Sequence, residues 1–220
     1  MKRFLLAVLL VMALASGCGD DALPPPQVVS ISPAMVLASD ANPVTVLVKG
    51  VLPTAVDYDR SRQTVDPSVS LLVGTLAVGT GSWEPGGKLS AVVPSLLAPG
   101  AYDVQVSFAD GRMGVLPEAY QVAPGHWPEG YTVDPIPEQH AGVPFTVSLH
   151  ATGADGPAFN GNVMLHVINA SAIKPSLSEP FVQGALTQTV TIPLAAKGVV
   201  VNVVDLEGHL GVSKAFDVLP

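Results

Sequence analysis

The sequence predicts an all-β protein made of two tandem β-sandwiches. Short runs in which every second residue is apolar recur along most of the chain, as in strands that bury one face. The 21 glycines and 21 prolines among 220 residues separate these runs and favour turns between them. No segment after the N-terminus has the apolar period of an amphipathic helix. Many short strands with glycine- and proline-rich turns are typical of sandwiches.

The first 17 residues have the pattern of a signal peptide. Lys2 and Arg3 precede the apolar run 4–14, and small residues then lead to Cys18, the only cysteine of the chain. A basic start, a short apolar region and a small-residue cleavage site direct a chain to export. The alternative reading is an ordinary signal peptide that happens to contain a cysteine.

Ala15-Ser16-Gly17-Cys18 also resembles a bacterial lipobox, with alanine at the place where lipoboxes prefer leucine. The resemblance implies cleavage before Cys18 and its acylation with fatty acids such as palmitate. A chain of that kind is a lipid-anchored protein of the bacterial cell envelope, at the outer membrane or the cell surface. Residues 18–27 would then form a proline-rich tether of extended backbone.

Charge and cysteine content limit the partners of the chain. The formal net charge is −8, and loss of Lys2 and Arg3 with the signal peptide leaves 8 basic and 18 acidic residues, a net charge of −10. An acidic chain repels phosphate backbones, so we expect no nucleic-acid partner. Because Cys18 is the only cysteine, no disulfide can form within the chain.

The first predicted sandwich spans residues 28–122. Its clearest strand places Tyr102, Val104, Val106 and Phe108 on one face and polar residues on the other. Asp110-Gly111 supplies the following hairpin turn. Further strands are predicted at 28–33, 44–50, 68–74, 88–94 and 113–122.

The second predicted sandwich spans residues 131–220, after a linker at 123–130 that contains two prolines and two glycines. Alternating apolar residues predict strands around 145–150, 163–167, 186–192 and 216–218. The run Val199–Val204, apolar except for Asn202, predicts a strand that is buried on both faces or lies near the centre of a sheet.

Several motifs follow one another through residues 28–122: V-V-S-I-S-P (28–33), V-T-V-L-V-K-G (44–50), V-V-P (92–94), P-G-A-Y-D-V-Q-V (99–106), D-G-R (110–112) and A-Y-Q-V (119–122). On these residues the region resembles the IPT/TIG family of immunoglobulin-like domains. It departs from the family at 51–67, where a polar insertion replaces the Gly-x-x-Phe of many members.

Residues 131–220 carry H-A-G-V-P-F-T-V (140–147), G-N-V-M-L (161–165), F-V-Q-G-A-L-T-Q-T-V-T-I (181–192) and G-V-S-K-A-F-D-V (211–218). This half is similar to bacterial immunoglobulin-like modules of surface proteins. The two resemblances together imply tandem immunoglobulin-like β-sandwiches. Such families serve as spacers, adhesion modules or accessory domains beside carbohydrate enzymes, and they share no catalytic residues.

Groups suited to catalysis or metal binding are sparse. Ser171 and Lys174 match Ser-x-x-Lys, but that motif works on a helix beside partner motifs that this sequence lacks. The acidic loop residues offer too few oxygens for a calcium loop and are expected to be solvated, although a site shared between loops stays open. Two histidines on outward strand faces are too few for a metal. The residues weighed for metals are Asp57, Asp59, Asp205, Glu207, His150 and His166. We predict no catalytic residue, no metal ion and no cofactor.

The candidate ligand contacts are aromatic and basic residues of the first predicted sandwich. Trp83 stands in a glycine-rich stretch, where an exposed indole would stack on a sugar or anchor a partner. The alternative is an indole folded back onto the core. Tyr58, Arg60 and Arg62 form a polar insertion with binding potential, or else a mobile loop. Trp127 in the linker is expected to pack between the domains, the alternative being a second exposed anchor.

The sequence favours a non-catalytic envelope lipoprotein that acts as an adhesion, scaffold or spacer module. Its partners would be the membrane, through the N-terminal lipid, and a protein or a polysaccharide. One alternative is a carbohydrate-binding accessory lipoprotein. The other is an enzyme, for which the sequence offers no coherent set of polar groups.

Overall fold

The computed structural model describes residues 23–57, 59 and 61–220, and throughout these ranges the fold is all-β. The one helical element described is a 3₁₀ turn at Gly156–Ala158. The predicted fold class is confirmed, since two immunoglobulin-like β-sandwiches follow each other along the chain, each with its own hydrophobic core. The predicted signal peptide and Cys18 lie outside the described residues.

The first sandwich packs two mainly antiparallel sheets against each other. One sheet has the strand order β1-β3-β9-β8, the other has β2-β11-β10-β6-β7, and β4 and β5 form a separate hairpin. The strands are β1 (Gln27–Ser32), β2 (Met35–Leu37), β3 (Asn42–Lys49), β4 (Thr54–Asp57), β5 (Arg62–Val65), β6 (Val69–Val73), β7 (Leu76–Val78), β8 (Thr80–Glu84), β9 (Lys88–Val93), β10 (Gly100–Phe108) and β11 (Met113–Ala123).

Strand β10 follows the alternation of its sequence. Val104, Val106 and Phe108 are buried in the first core, and Tyr102 packs against its edge. The predicted turn comes next: Gly111 has a φ of 85°, which favours glycine, and β11 then pairs antiparallel with β10. Hydrophobic period and turn chemistry therefore agree at this hairpin.

The second sandwich is a continuous path of strands wrapped around its core. The order is β13-β19-β17-β18-β12-β14-β16, and β15 also pairs with β17. A single parallel pairing, Tyr131 with Gly211, joins the two layers. The strands are β12 (Gly130–Val133), β13 (Gln139–His140), β14 (Phe145–Thr152), β15 (Met164–Ile168), β16 (Ala185–Val190), β17 (Ala196–Val204), β18 (Leu210–Val212) and β19 (Phe216–Leu219).

The valine-rich run Val199–Val204 lies in the central strand β17, as predicted, but only one of its faces lies in the core. Val199, Val201 and Val203 are fully buried, whereas Val200 and Val204 on the opposite face are half-buried. The outward face of this strand therefore carries two apolar side chains on either side of Asn202, and no other layer of the described chain covers it completely.

The segment predicted as a free tether joins the first sandwich before residue 28. Pro26 is buried, and Gln27 already belongs to β1. Arg112 donates to the carbonyl oxygens of Pro24 at 2.7 Å and of Val51 at 2.8 Å. These bonds hold the described chain to the first sandwich from Pro24 onward, within the segment predicted as a tether.

Candidate functional site

The two sandwiches share one aromatic side chain, Trp127, at the place where they meet. Its partly buried ring packs against both hydrophobic cores, and its centroid lies 5.9 Å from that of Phe159 in the second sandwich. Phe159 in turn contacts Phe181 with ring centroids 5.2 Å apart. The prediction that Trp127 packs between the domains is confirmed, so the linker is held by both cores.

A reciprocal pair of buried hydrogen bonds joins the sandwiches beside Trp127. The backbone N–H of Ser95 donates to Oδ1 of Asn162 at 3.2 Å, and the N–H of Asn162 donates to Oγ of Ser95 at 2.6 Å. Nδ2 of Asn162 also donates to the carbonyl of Ser178 at 2.8 Å within the second sandwich. Buried bonds of this kind are costly to break because each leaves an unpaired polar group. They fix how the two sandwiches are oriented.

The backbones of the two sandwiches approach each other closely at Gly161. A Cβ placed there would lie 2.5 Å from the carbonyl oxygen of Ser39 and 2.7 Å from Oγ of Ser95. Nearby, the N–H of Ala41 donates to the carbonyl of Asn160 at 3.1 Å. Glycine is therefore required at position 161 by the contact itself.

Charged groups surround the rim of this junction. Nδ1 of His126 lies 3.9 Å from a carboxylate oxygen of Asp155, and both side chains are mostly exposed. Burial raises the pKa of the Asp40 carboxyl, and a hydrogen bond from Ser39 and the nearby His126 partly offset that effect. The imidazole of the linker thus lies near one carboxylate from each sandwich.

Most of the predicted site residues lie outside the described residues or have only their backbone described. Cys18, Tyr58 and Arg60 lie outside the described residues. Arg62 opens strand β5, paired with Asp57 at the end of the β4–β5 hairpin, and only its backbone is described. The lipidation of Cys18 and the roles of Tyr58, Arg60 and Arg62 in ligand contact stay predictions.

Trp83 lies on strand β8 and is partly buried. It packs on the first core, edge-on against Phe108, with ring centroids 5.7 Å apart. Of the two alternatives raised by the sequence, this is the indole folded back onto the core. Only part of the indole ring is accessible to a ligand.

The structure contains a buried polar cluster that sequence reasoning missed. The side chain of Asp205, expected to be a solvated loop acid, is fully buried. Its Oδ2 accepts from the hydroxyl of Tyr131 at 2.9 Å and lies 2.9 Å from Nδ1 of His209, while its Oδ1 accepts from the His209 N–H at 2.9 Å. The expectation was wrong because the β17–β18 turn folds over β12.

This cluster has a structural explanation. Burial, reinforced by the carboxylate of Asp205, raises the pKa of Tyr131 far above its ordinary value, so Tyr131 is a permanent donor. The spacing of Asp205 and His209 across Gly208 hints at a turn, but Tyr131 is 74 residues away and no local pattern points to it. The bonds tie one layer of the second sandwich to the other.

Tyr120 lines a small cavity of the first sandwich near the junction. The space open to a water molecule is about 10 Å³, and Asp40, Asn42 and Ser95 also line it. That is room for one water at most. Burial raises the pKa of Tyr120 to about 12, with the side chain of Asn42 acting in the opposite direction.

Within residues 23–57, 59 and 61–220, no group of three or more histidine, cysteine, aspartate or glutamate side chains is placed to hold a metal ion. No helix described there is long and apolar enough to cross a membrane. Ser171 and Lys174 lie in the connection between β15 and β16, where the backbone of Lys174 pairs with Thr191. The helix that a Ser-x-x-Lys motif needs is not present at this position.

Comparison with known proteins adds no family. No protein-family model matches the sequence, and no curated protein matches it. Similar solved structures include the D0–D1 domains of intimin, at 14% identity and TM-score 0.33, covering 90% of this chain and 99% of that one. Domains 4 and 5 of the S-layer protein SbsC match at 12% identity and TM-score 0.31, covering 90% and 99%.

A third similar structure is SGBP-B of the Bacteroides ovatus mixed-linkage glucan utilization locus, in complex with a mixed-linkage heptasaccharide. It matches at 13% identity and TM-score 0.25, covering 82% of this chain and 54% of that one. Likenesses this distant do not extend the fold that the strand pairing already shows, and they carry no function to this chain.

Proposed function

We propose that this chain is a non-catalytic lipoprotein of the bacterial cell envelope that acts as an adhesion, scaffold or spacer module. Its first sandwich is of the IPT/TIG type and its second is a bacterial immunoglobulin-like module. The observation that carries the proposal is the junction: Trp127 packs on both cores, and Ser95 and Asn162 exchange buried hydrogen bonds.

A rigid junction suits display and spacing. A flexible linker would let the second sandwich explore many positions, and its ordering on a partner would cost conformational entropy. With the junction fixed, the loops and strand edges at the far end of the chain keep one position relative to the first sandwich. A partner then meets a preorganised surface.

The N-terminal contacts support an anchor close to the membrane. Arg112 holds Pro24 to the first sandwich, so the five residues 19–23 form the whole tether from an acylated Cys18. At about 3.5 Å a residue they span at most ~17 Å. The first sandwich of an acylated chain would therefore stay beside its membrane.

The carbohydrate-binding alternative has less support. Its one described aromatic candidate, Trp83, is partly buried against Phe108. Binding of a polysaccharide panel that is lost in Trp83→Ala would restore this alternative, provided that Leu76→Ala keeps it. Leu76 is a partly buried side chain packed on the same core, so its truncation controls for a general loss of packing. An enzymatic role would require activity of the purified chain against a hydrolase panel.

The proposal is tested by metabolic labelling and protease treatment of cells that express the full chain. We expect radiolabelled palmitate on the parent chain and none on Cys18→Ser. We also expect external protease to degrade the chain on intact cells while a periplasmic control protein survives. An unlabelled parent chain refutes the lipid anchor. Protection until the envelope is broken refutes display at the surface.

A further inference from the structure

A buried hydroxyl lies in the small cavity at the junction end of the first sandwich. Tyr120 on strand β11 is 1% exposed, and its hydroxyl makes no hydrogen bond to any group of the described residues. The side chain of Asn42 lies near this hydroxyl, but Nδ2 of Asn42 already donates to the carbonyl of Asp40 at 2.8 Å. We call this space the Tyr120 cavity. The polar residues that line it are Tyr120, Asp40, Asn42 and Ser95.

The Tyr120 hydroxyl requires a polar partner. Burial raises the pKa of Tyr120 to about 12, so the hydroxyl keeps its proton at neutral pH and can both donate and accept. The rest of the cavity wall is mainly apolar, with Val36, Val93 and Leu97 among its residues. A hydroxyl left unpaired in such surroundings costs free energy. Buried polar side-chain atoms are therefore bonded, in the large majority of cases, to protein or to ordered water.

The size of the cavity selects that partner. The space open to a water molecule is about 10 Å³, and one water needs about 10–15 Å³ of such space. A larger ligand does not fit in this space. A buried water also needs two to four polar partners, and the polar residues of the wall can supply them.

The walls of the Tyr120 cavity also contact the second sandwich. In the turn between β2 and β3, the N–H of Ala41 donates to the carbonyl of Asn160 at 3.1 Å. On the other wall, Oγ of Ser95 accepts from the N–H of Asn162 at 2.6 Å. That bond uses a lone pair of the Ser95 oxygen, so the hydroxyl proton is left to be donated to a further acceptor. A water beside Tyr120 is an acceptor of the right size.

We propose that one ordered water molecule is bound in the Tyr120 cavity, where it accepts from the hydroxyl of Ser95 and is hydrogen-bonded to the hydroxyl of Tyr120. The water then joins the first core to the bond between Ser95 and Asn162, so Tyr120 helps to hold the junction. Internal waters of this kind are part of a fold and are costly to remove. This inference uses only the geometry of the described residues and stands whether or not the chain is a lipoprotein.

A crystal structure of the full chain, at a resolution that shows ordered water, tests the site directly. We expect one water peak about 2.5–3.0 Å from the hydroxyl oxygen of Tyr120. Its occupancy should fall at least about twofold in Tyr120→Phe, which removes one of its few partners. Tyr102→Phe removes a hydroxyl whose bond to the Ala98 carbonyl is exposed, and this control should keep the peak. An empty cavity in the parent chain overturns the proposal, and so does a peak equally occupied in Tyr120→Phe.

The direction of the stability change is an independent readout, measured by urea unfolding at neutral pH. Removing an unpaired buried hydroxyl would raise the urea midpoint, whereas removing one that is bonded to water lowers it. We therefore expect Tyr120→Phe to lower the midpoint. Because the water also bonds to Ser95, this fall should be at most about half as large in the Ser95→Ala background. In the control background Asn160→Ala, whose side chain bonds only to backbone of the second sandwich, the fall should be unchanged. A midpoint that Tyr120→Phe leaves unchanged or raises overturns the proposal, as does an equal fall in the Ser95→Ala background.

Discussion

Replacing Asn162 by alanine should destabilise the chain more than the loss of any single bond at its surface. The side chain of Asn162 satisfies the N–H of Ser95 in one sandwich and the carbonyl of Ser178 in the other. Both groups are buried, and alanine leaves both without a partner. An unsatisfied buried group costs roughly 1–3 kcal/mol, so the two together cost about 2–6 kcal/mol.

The assay is urea unfolding followed by tryptophan fluorescence, since Trp127 lies at the junction and Trp83 packs on the first core. Asn160→Ala is the matched control. The Asn160 side chain bonds only to backbone of the second sandwich, in an exposed setting, so its loss should cost about 1 kcal/mol or less. The midpoint for Asn162→Ala should fall clearly below that of the control.

A double variant tests both bonds between the sandwiches. Ser95→Ala alone removes the acceptor of the Asn162 N–H and should cost roughly 1–3 kcal/mol. Because each side chain accepts from the other residue's backbone N–H, which alanine keeps, the two substitutions remove separate bonds, and the double variant should cost about the sum of the two, to within roughly 0.5 kcal/mol. A loss below ~1 kcal/mol for Asn162→Ala, or a double variant that costs no more than Asn162→Ala alone, would refute the reasoning.

Three further outcomes follow from buried titratable groups. Tyr131→Phe removes the hydroxyl that Asp205 accepts and should cost about 1.5–3 kcal/mol in urea unfolding. Tyr102→Phe, whose bond to the Ala98 carbonyl is exposed, is its control, and equal losses would contradict the buried role. The raised pKa of Asp40 means that the folded state holds the carboxyl proton more tightly than the unfolded state, so this carboxyl opposes folding as pH rises. Asp40→Asn should therefore gain stability over the parent chain as pH rises above the ordinary pKa of the carboxyl. A constant difference in stability between the two chains, in unfolding measured from acid to neutral pH, would contradict this expectation. The pKa of Tyr120, about 12 against an ordinary 10, means that stability is lost as pH rises from 10 to 12. Tyr120→Phe should flatten that loss in alkaline unfolding, and an unchanged slope would contradict the assignment.

The strands were predictable from sequence because their signals are local. In β10 the period of two alone separates buried from exposed side chains, and Gly111 marks the turn that follows. The histidines on strands β14 and β15, His150 and His166, are exposed as the alternation predicts. Trp127 was placed correctly because a large aromatic side chain in a short linker can be buried only against the domains on either side of it.

The junction bonds and the Asp205 cluster were not predictable, since they depend on distant residues. Ser95 and Asn162 are 67 positions apart, and each stands in a stretch with no motif that marks the contact. The burial of Asp205 depends on how the β17–β18 turn folds over β12, a tertiary fact that no propensity encodes. For Trp83, composition alone left two alternatives open; the ring packs against Phe108, and its role in ligand contact stays a prediction.

Arg112 has a mechanical consequence. A force that pulls on the N-terminal end of the chain acts first on the hydrogen bonds from Arg112 to the carbonyls of Pro24 and Val51. It then loads strand β1, whose pairs with β3 run from Gln27–Lys49 to Ser32–Thr45. A force directed along β1 strains those pairs together in shear instead of opening them one by one. Forced unfolding is governed by the unfolding rate. The resistance of β1 to shear therefore limits how long the first sandwich stays folded under tension.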